Sequence, residues 1–226
     1  MRRPAVVLRS VAATAALVLL SACSQNPAQE NNYPVEGEEP ALTFVYQCGD
    51  QISFTAHGND ESKWLFLPGK TVELPKVAAA SGEKYSDGET TYWSHGEETM
   101  LETAGQRYSD CLIDRRASIW ESAKLQGVDF RAVGNEPGWV LELGPDEQMT
   151  LVTNYGEEHI VFDLPQPEVN KANKTSYYSA ENDNYTIDVT ITGSACNDDM
   201  SGDAFEATVE VNLNYQNLRG CGKALH

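Results

Sequence analysis

Leu42-Thr43-Phe44-Val45-Tyr46-Gln47-Cys48 is followed by Gly49-Asp50 and then by Gln51-Ile52-Ser53-Phe54-Thr55-Ala56. Both runs are rich in β-branched and aromatic residues and both alternate. Period-two alternation marks a half-buried strand, because successive side chains leave a strand on opposite faces. A Gly-Asp pair between two such runs supplies turn residues. The style continues downstream through Trp64-Leu65-Phe66-Leu67, Lys70-Thr71-Val72-Glu73-Leu74, Glu89-Thr90-Thr91-Tyr92-Trp93 and Glu97-Glu98-Thr99-Met100-Leu101-Glu102. Turn residues recur at Gly58-Asn59-Asp60, Pro68-Gly69, Asp87-Gly88 and His95-Gly96. Strands this short and closely spaced predict an antiparallel barrel or sandwich.

Residues 114–126 break the pattern. Asp114 can cap a helix, Ile119, Trp120, Ala123 and Leu125 can form its apolar face, and Gly127 can end it. From Val128 a second β set begins, with strands expected at residues 139–143, 148–153, 158–162, 185–191 and 207–213. No residue-level repeat links the two sets. The chain is therefore expected to be all-β, a small antiparallel barrel or sandwich joined by a short helix to a second, mainly β domain. The expected boundaries are 1–22 for a signal peptide, 23–40 for a tether, 41–112 for the first β domain, 113–127 for the helical linker and 128–226 for the second domain.

The first segment reads as an address. Arg2, Arg3 and Arg9 precede an apolar stretch too short to span a bilayer, and small residues follow. Leu20-Ser21-Ala22-Cys23 resembles a lipobox, in which Cys23 becomes the lipidated first residue. Ser24, in place of an acid, favours the outer membrane, facing the periplasm. Residues 24–40 hold Gln, Asn, Glu and Pro with little to bury, which fits a flexible leash. The formal net charge is −18, and removing the three arginines of residues 1–22 leaves −21. Such a chain is unsuited to nucleic acid, which needs clustered Lys and Arg, and is suited to a basic protein partner.

Cys48, Cys111, Cys196 and Cys221 remain after Cys23. Export places them where pairing is expected. Three connectivities are open, and sequential pairing, Cys48–Cys111 and Cys196–Cys221, is favoured because each pair brackets one compositional unit. Asp198, Asp199, Ser201, Gly202 and Asp203 invite a calcium reading, but Thr208 stands where a calcium loop begun at Asn197 needs glutamate. A turn capped by acidic side chains is the better account. Arg131 and Glu136 read as a surface ion pair. No hydrolase elbow, zinc-binding His-Glu-x-x-His or phosphate loop is present, so the chain reads as a binding protein and not an enzyme, with no cofactor or metal.

Two motifs lie between Cys48 and Cys111: Ser81-Gly82-Glu83-Lys84-Tyr85 and Tyr92-Trp93-Ser94-His95-Gly96. In order and spacing they resemble the signature of the membrane-bound and periplasmic inhibitors of c-type lysozyme. That resemblance implies the barrel and a c-type lysozyme, basic as a family, as partner. It implies that Ser81 enters the cleft and bonds its two catalytic carboxyl groups, with Gly82 allowing a sharp turn and close approach. Tyr85 is expected as an interface anchor, and Trp93 as core. Where the family has a lysine, this chain has His95, which is shorter and, as a residue type, mostly neutral at neutral pH; Lys84 is a candidate to compensate. The expected function is a lipid-anchored, cleft-blocking inhibitor. The alternative is a cell-envelope binding or structural lipoprotein that keeps the barrel without inhibition. Residues 128–226 resemble an uncharacterised domain of bacterial lipoproteins through Phe130-Arg131-Ala132-Val133-Gly134-Asn135-Glu136-Pro137-Gly138-Trp139 and the segments around Cys196 and Cys221, a likeness that carries no activity.

Overall fold

A computed structural model describes residues 41–96 and 98–226. The expected signal peptide, the tether and Cys23 lie outside the described residues. Nine strands form the first sheet among the described residues: β1 (Leu42–Cys48), β2 (Ile52–Gly58), β3 (Ser62–Leu67), β4 (Lys70–Val77), β5 (Glu83–Ser86), β6 (Thr91–His95), β7 (Glu98–Thr103), β8 (Gln106–Tyr108) and β9 (Leu112–Asp114). They lie in the order β8-β7-β6-β5-β4-β3-β2-β1-β9, a meander of antiparallel neighbours closed at one edge by β9. The alternation read at residues 42–48 is realised, with Tyr46 and Cys48 turned into the core.

The sheet curls. Tyr46 on β1 and Tyr92 on β6 are far apart in strand order, yet their hydroxyls meet at 2.8 Å in the interior. Phe54, Leu65, Leu74, Tyr85 and Leu101 pack around them. Cys48, at the end of β1, is bonded to Cys111, whose N–H reaches Thr99 O at 3.1 Å. The far end of the meander is thus fixed to its first strand.

The helix α1 (Arg115–Leu125) begins where Asp114 Oδ1 accepts Ala117 N–H at 2.9 Å and gives way to Gly127 at φ +87°. Only part of its expected apolar face docks it: Ala123 is buried, as is Ser118, whereas Ile119 is 55% exposed. Ser118 Oγ accepts Val45 N–H at 2.8 Å and donates to Asp114 O at 2.6 Å, tying the helix to β1. On its other side Trp120 packs on Phe205, with ring centroids 5.3 Å apart. Lys223 Nζ and Arg131 Cζ stand 4.9 and 5.5 Å from the Trp120 ring centroid. Arg116 pairs with Asp203 at 2.9 Å.

The second sheet contains β10 (Phe130–Asn135), β11 (Gly138–Gly144), β12 (Gln148–Thr153), β13 (Glu158–Asp163), β14 (Glu168–Asn170), β15 (Thr175–Glu181) and β16 (Thr186–Thr192). After the short pair β17 (Cys196–Asn197) and β18 (Ala204–Phe205), it is completed by β19 (Ala207–Leu213) and β20 (Gln216–Ala224). Its order is β13-β12-β11-β10-β20-β19-β16-β15-β14. It too curls, around Trp139, Leu141, Met149, Leu151, Phe162, Val189 and Val209, and Asn182 Nδ2 reaches across to Val161 O at 3.1 Å. Cys196 is bonded to Cys221, pinning the β17–β18 turn to β20. Within that turn Asp198 accepts Met200 N–H, Ser201 N–H and Asn135 Nδ2 at 2.6–3.0 Å. These donors, backbone bonds first, hold its carboxyl below the usual carboxylate range. The ion pair expected between Arg131 and Glu136 is not formed. Arg131 instead pairs with Glu142, its cross-strand neighbour on β11, because residues directly opposite on adjacent strands share a face. Among the described residues the fold is all-β, with one short α-helix between two curled antiparallel sheets. No helix among the described residues is long and apolar enough to cross a membrane.

Candidate functional site

Residues 78–82 form an exposed loop between β4 and β5, and Ala78, Ala79, Ala80, Ser81 and Gly82 all face solvent. Two features set its path. Gly82 lies at φ +68°, a region that L side chains rarely adopt. It also runs so close to β6 that a Cβ there would stand 2.2 Å from Ser94 O. The second feature is Trp93, whose indole N–H donates to Ser81 O at 3.0 Å. Trp93 is half-buried, not core as expected. Tyr92 points inward, so its neighbour on the strand must point outward, and there its ring stacks on His95 at 5.7 Å between centroids. The alternation of Tyr92 and Trp93 was the signal that could have placed this strut from sequence.

Beyond Gly82 the first motif becomes strand β5, and this corrects the reading of Tyr85. Period-two alternation sends its ring into the core, where it is fully buried. Lys63 Nζ stands 5.5 Å and Lys76 Nζ 5.9 Å from the ring centroid. Burial, then the Glu83 and Asp60 carboxylates, push the Tyr85 phenol well up. Lys63 is itself buried, donates to Gly58 O at 3.1 Å and is held below the usual lysine range by desolvation. Lys76 bridges Asp60 and Glu83 at 3.7 Å each. Tyr85 is thus a pillar beneath the loop and not a contact surface in this structure.

The outer face carries the remaining candidates. Lys84 is directly opposite Trp93 across the β5–β6 ladder. His95 is exposed at the end of β6, opposite Glu98 of β7. The strand alternation therefore brings Lys84, Trp93 and His95 to one face, with Ser81 tied to it through the Trp93 indole. Such a face offers a small hydroxyl on a narrow projection, flanked by one amine and one imidazole. It has the hydrogen-bonding chemistry to engage carboxyl groups.

Residues 46–110 match a family described as the membrane-bound lysozyme-inhibitor of c-type lysozyme. A relative in Yersinia enterocolitica, named membrane-bound lysozyme inhibitor of C-type lysozyme, is 38% identical over 95 residues, which is 41% of this chain and 71% of the relative. No solved structure matches the chain. The matched family residues 46–110 include the whole Ser81 loop, both motifs and the Trp93 strut.

Proposed function

The chain belongs to the family of membrane-bound inhibitors of c-type lysozyme, a family of inhibitors and not of enzymes, and from that premise we propose that it blocks such a lysozyme by inserting the Ser81-Gly82 loop into the cleft. The observation that carries this reading is the loop's preset path: Gly82 packed on β6 and Ser81 O held by the Trp93 indole. Retaining glycosidases of this kind place two carboxyl groups either side of the scissile bond. A serine hydroxyl can donate to the ionised carboxylate and accept from the protonated acid, so one small group can satisfy both. No covalent step is needed. His95 and Lys84 lie beside the loop and supply the polar and cationic contacts at the mouth of the cleft. Tyr85 contributes by support from below. The acidic surface of the chain draws in a basic enzyme and should make association sensitive to salt.

In this reading Cys23 carries the lipid and residues 24–40 the leash, placing the inhibitor on the outer membrane facing the periplasm. Metabolic labelling with a palmitate analogue tests this directly: Cys23→Ala should lose the label.

Inhibition of cell-wall lysis by a c-type lysozyme should be stoichiometric with the full chain. Ser81→Ala should remove most of it while leaving the melting temperature unchanged, because Ser81 is exposed. Full inhibition by that variant would sink the mechanism. His95 favours a second reading, a cell-envelope lipoprotein that has kept the barrel and lost the target. A large gain in inhibition by His95→Lys from a null wild type would support it.

A further inference from the structure

Three Asn-Tyr pairs stand at a constant interval of thirty residues: Asn154-Tyr155, Asn184-Tyr185 and Asn214-Tyr215. Each falls on a hairpin tip, between β12 and β13, between β15 and β16, and between β19 and β20. The register puts the three tips at one end of the second sheet, and hydrogen bonds make them neighbours. Tyr185 Oη donates to Glu158, beside the first tip. Asn214 Nδ2 donates to Asn184 O at 3.2 Å, joining the second tip to the third.

Two of these tyrosines hold backbone positions that suit glycine, and they do so without being buried. Tyr155 lies at φ +57° and Tyr215 at φ +73°, where a side chain is strained and where glycine usually completes a two-residue tip. Burial does not compensate, since Tyr155 is 83% and Tyr215 95% exposed. Strain kept without packing gain is the pattern of a surface in use.

The chemistry of the rim selects its partner. The side chains of Asn154, Asn182 and Asn214 are turned inward on the tips themselves. Asn154 Nδ2 bonds Glu157 at 3.0 Å, Asn182 Oδ1 accepts Asn184 and Tyr185 N–H at 3.0 and 2.9 Å, and Asn214 Oδ1 accepts Thr186 N–H at 2.8 Å. A sugar surface would need those amides free. What faces outward is phenol rings beside the exposed carboxylates of Glu136, Glu157 and Asp183. The tips at residues 135–138, 154–157, 182–185 and 214–215 contain no Lys or Arg, and residues 128–226 hold 17 Asp and Glu against 5 Lys and Arg. Phosphate-bearing partners are repelled by such a rim. Lysine and arginine side chains are suited to it, pairing with carboxylates and lying over tyrosine faces. Rigid tyrosines on hairpin tips are also how antibody-like surfaces gain contact area at low entropic cost.

We propose that this rim docks on the basic surface of a c-type lysozyme outside its cleft. The identity of the partner rests on the cleft-blocking reading, but the contact uses none of its residues. The test is calorimetric titration of the full chain into a c-type lysozyme whose cleft is saturated with an N-acetylglucosamine trimer. Wild type and Ser81→Ala should bind this filled enzyme alike, and less tightly as salt rises. Tyr155→Gly/Tyr215→Gly should bind it about tenfold or more weakly. Glycine suits both backbone positions, so this variant should melt no lower than wild type. The proposal is overturned if wild type ignores the filled enzyme, or if the double variant binds it as well as wild type does. It is also overturned if the trimer alone binds the chain in a tyrosine-dependent way, which would make the rim a glycan surface. Inhibition of lysis by the unfilled enzyme reads the cleft contact separately: lost inhibition with retained binding to the filled enzyme would sink the cleft reading alone.

Discussion

Replacing Gly82 by alanine should damage both stability and inhibition, and the structure gives the size of the effect. An added Cβ would stand 2.2 Å from Ser94 O and 3.0 Å from both Cα and Cβ of His95. Strand β6 cannot recede, because Ser94 is paired with Glu83 on one side and Thr99 on the other. The loop must move instead. A side chain held at φ +68° costs about 1–2 kcal/mol, and forcing a methyl against backbone adds roughly 1–3 kcal/mol. Local movement relieves part of the sum, leaving about 2–4 kcal/mol. In a fold of this size each kcal/mol shifts Tm by about 2–4 °C, so a fall on the order of 5–15 °C is expected. The displaced loop also takes Ser81 O away from the Trp93 indole, which sits 3.0 Å away in the native arrangement. Thermal melts and a lysis assay, run beside Ser81→Ala, separate the two consequences. Ser81→Ala should keep the wild-type Tm and lose inhibition; Gly82→Ala should lose both. A Gly82→Ala protein with wild-type Tm and inhibition would refute the account of the loop.

Other perturbations probe the frame that holds this loop. Tyr92→Phe strands the buried Tyr46 hydroxyl, which now pairs at 2.8 Å, and should cost about 1–3 kcal/mol in urea unfolding; the Tyr46→Phe/Tyr92→Phe double variant should recover most of that loss. His57, bonded to Thr43 Oγ1 at 2.8 Å, has its pKa lowered by burial first and by Lys63 second. The unfolded chain then binds this proton at higher pH than the folded one, so stability should fall as pH drops below about 6.5 and level off once folded His57 is also protonated. His57→Gln should flatten that part of the pH–stability curve. Removing the Cys48–Cys111 bond, which spans 63 residues, should destabilise by roughly 4 kcal/mol in the loop-entropy account, and removing Cys196–Cys221, spanning 25, by somewhat less. Paired Cys→Ala variants compared by Tm would test the order.

Much of this molecule was legible because alternation is a local signal. The runs at residues 42–48 and 207–213 read as strands and form β1 and β19. The helix start was legible from a capping aspartate, and Asp114 caps it. Short or glycine-interrupted strands were missed. Residues 130–135 and 216–224 form β10 and β20, but Gly134, Gly220 and Gly222 hide their apolar pattern. These glycines are needed because Cβ atoms there would stand 2.0–2.9 Å from neighbouring groups, the Trp139 ring among them. That is information about packing, which no local window holds. The site shows the same division. The Ser81-Gly82 turn was legible, whereas Tyr85 was read as an interface anchor because no strand was read at residues 83–86. Once residues 83–86 form β5, the same alternation that revealed β1 buries Tyr85. The ion pair of Arg131 was misread for a related reason: Glu136 is nearer in sequence, but Glu142 is opposite it in the ladder.

Helix α1 bears on how freely this architecture could be taken apart. The family match ends at residue 110, but the first sheet does not: β9 adds its edge from residues 112–114. The next turn of chain supplies Ser118 to the Val45 N–H. The same helix then gives Trp120 to Arg131, Lys223 and Phe205 of the second half. One element of eleven residues is therefore part of the walls of both halves. An inhibitor module cut off at its family boundary would have to replace an edge strand and a bond to its first strand. Whatever its ancestry, the second sheet is now grafted onto the first and not strung behind it, and a minimal lysozyme-binding fragment should be sought through residue 125 or beyond.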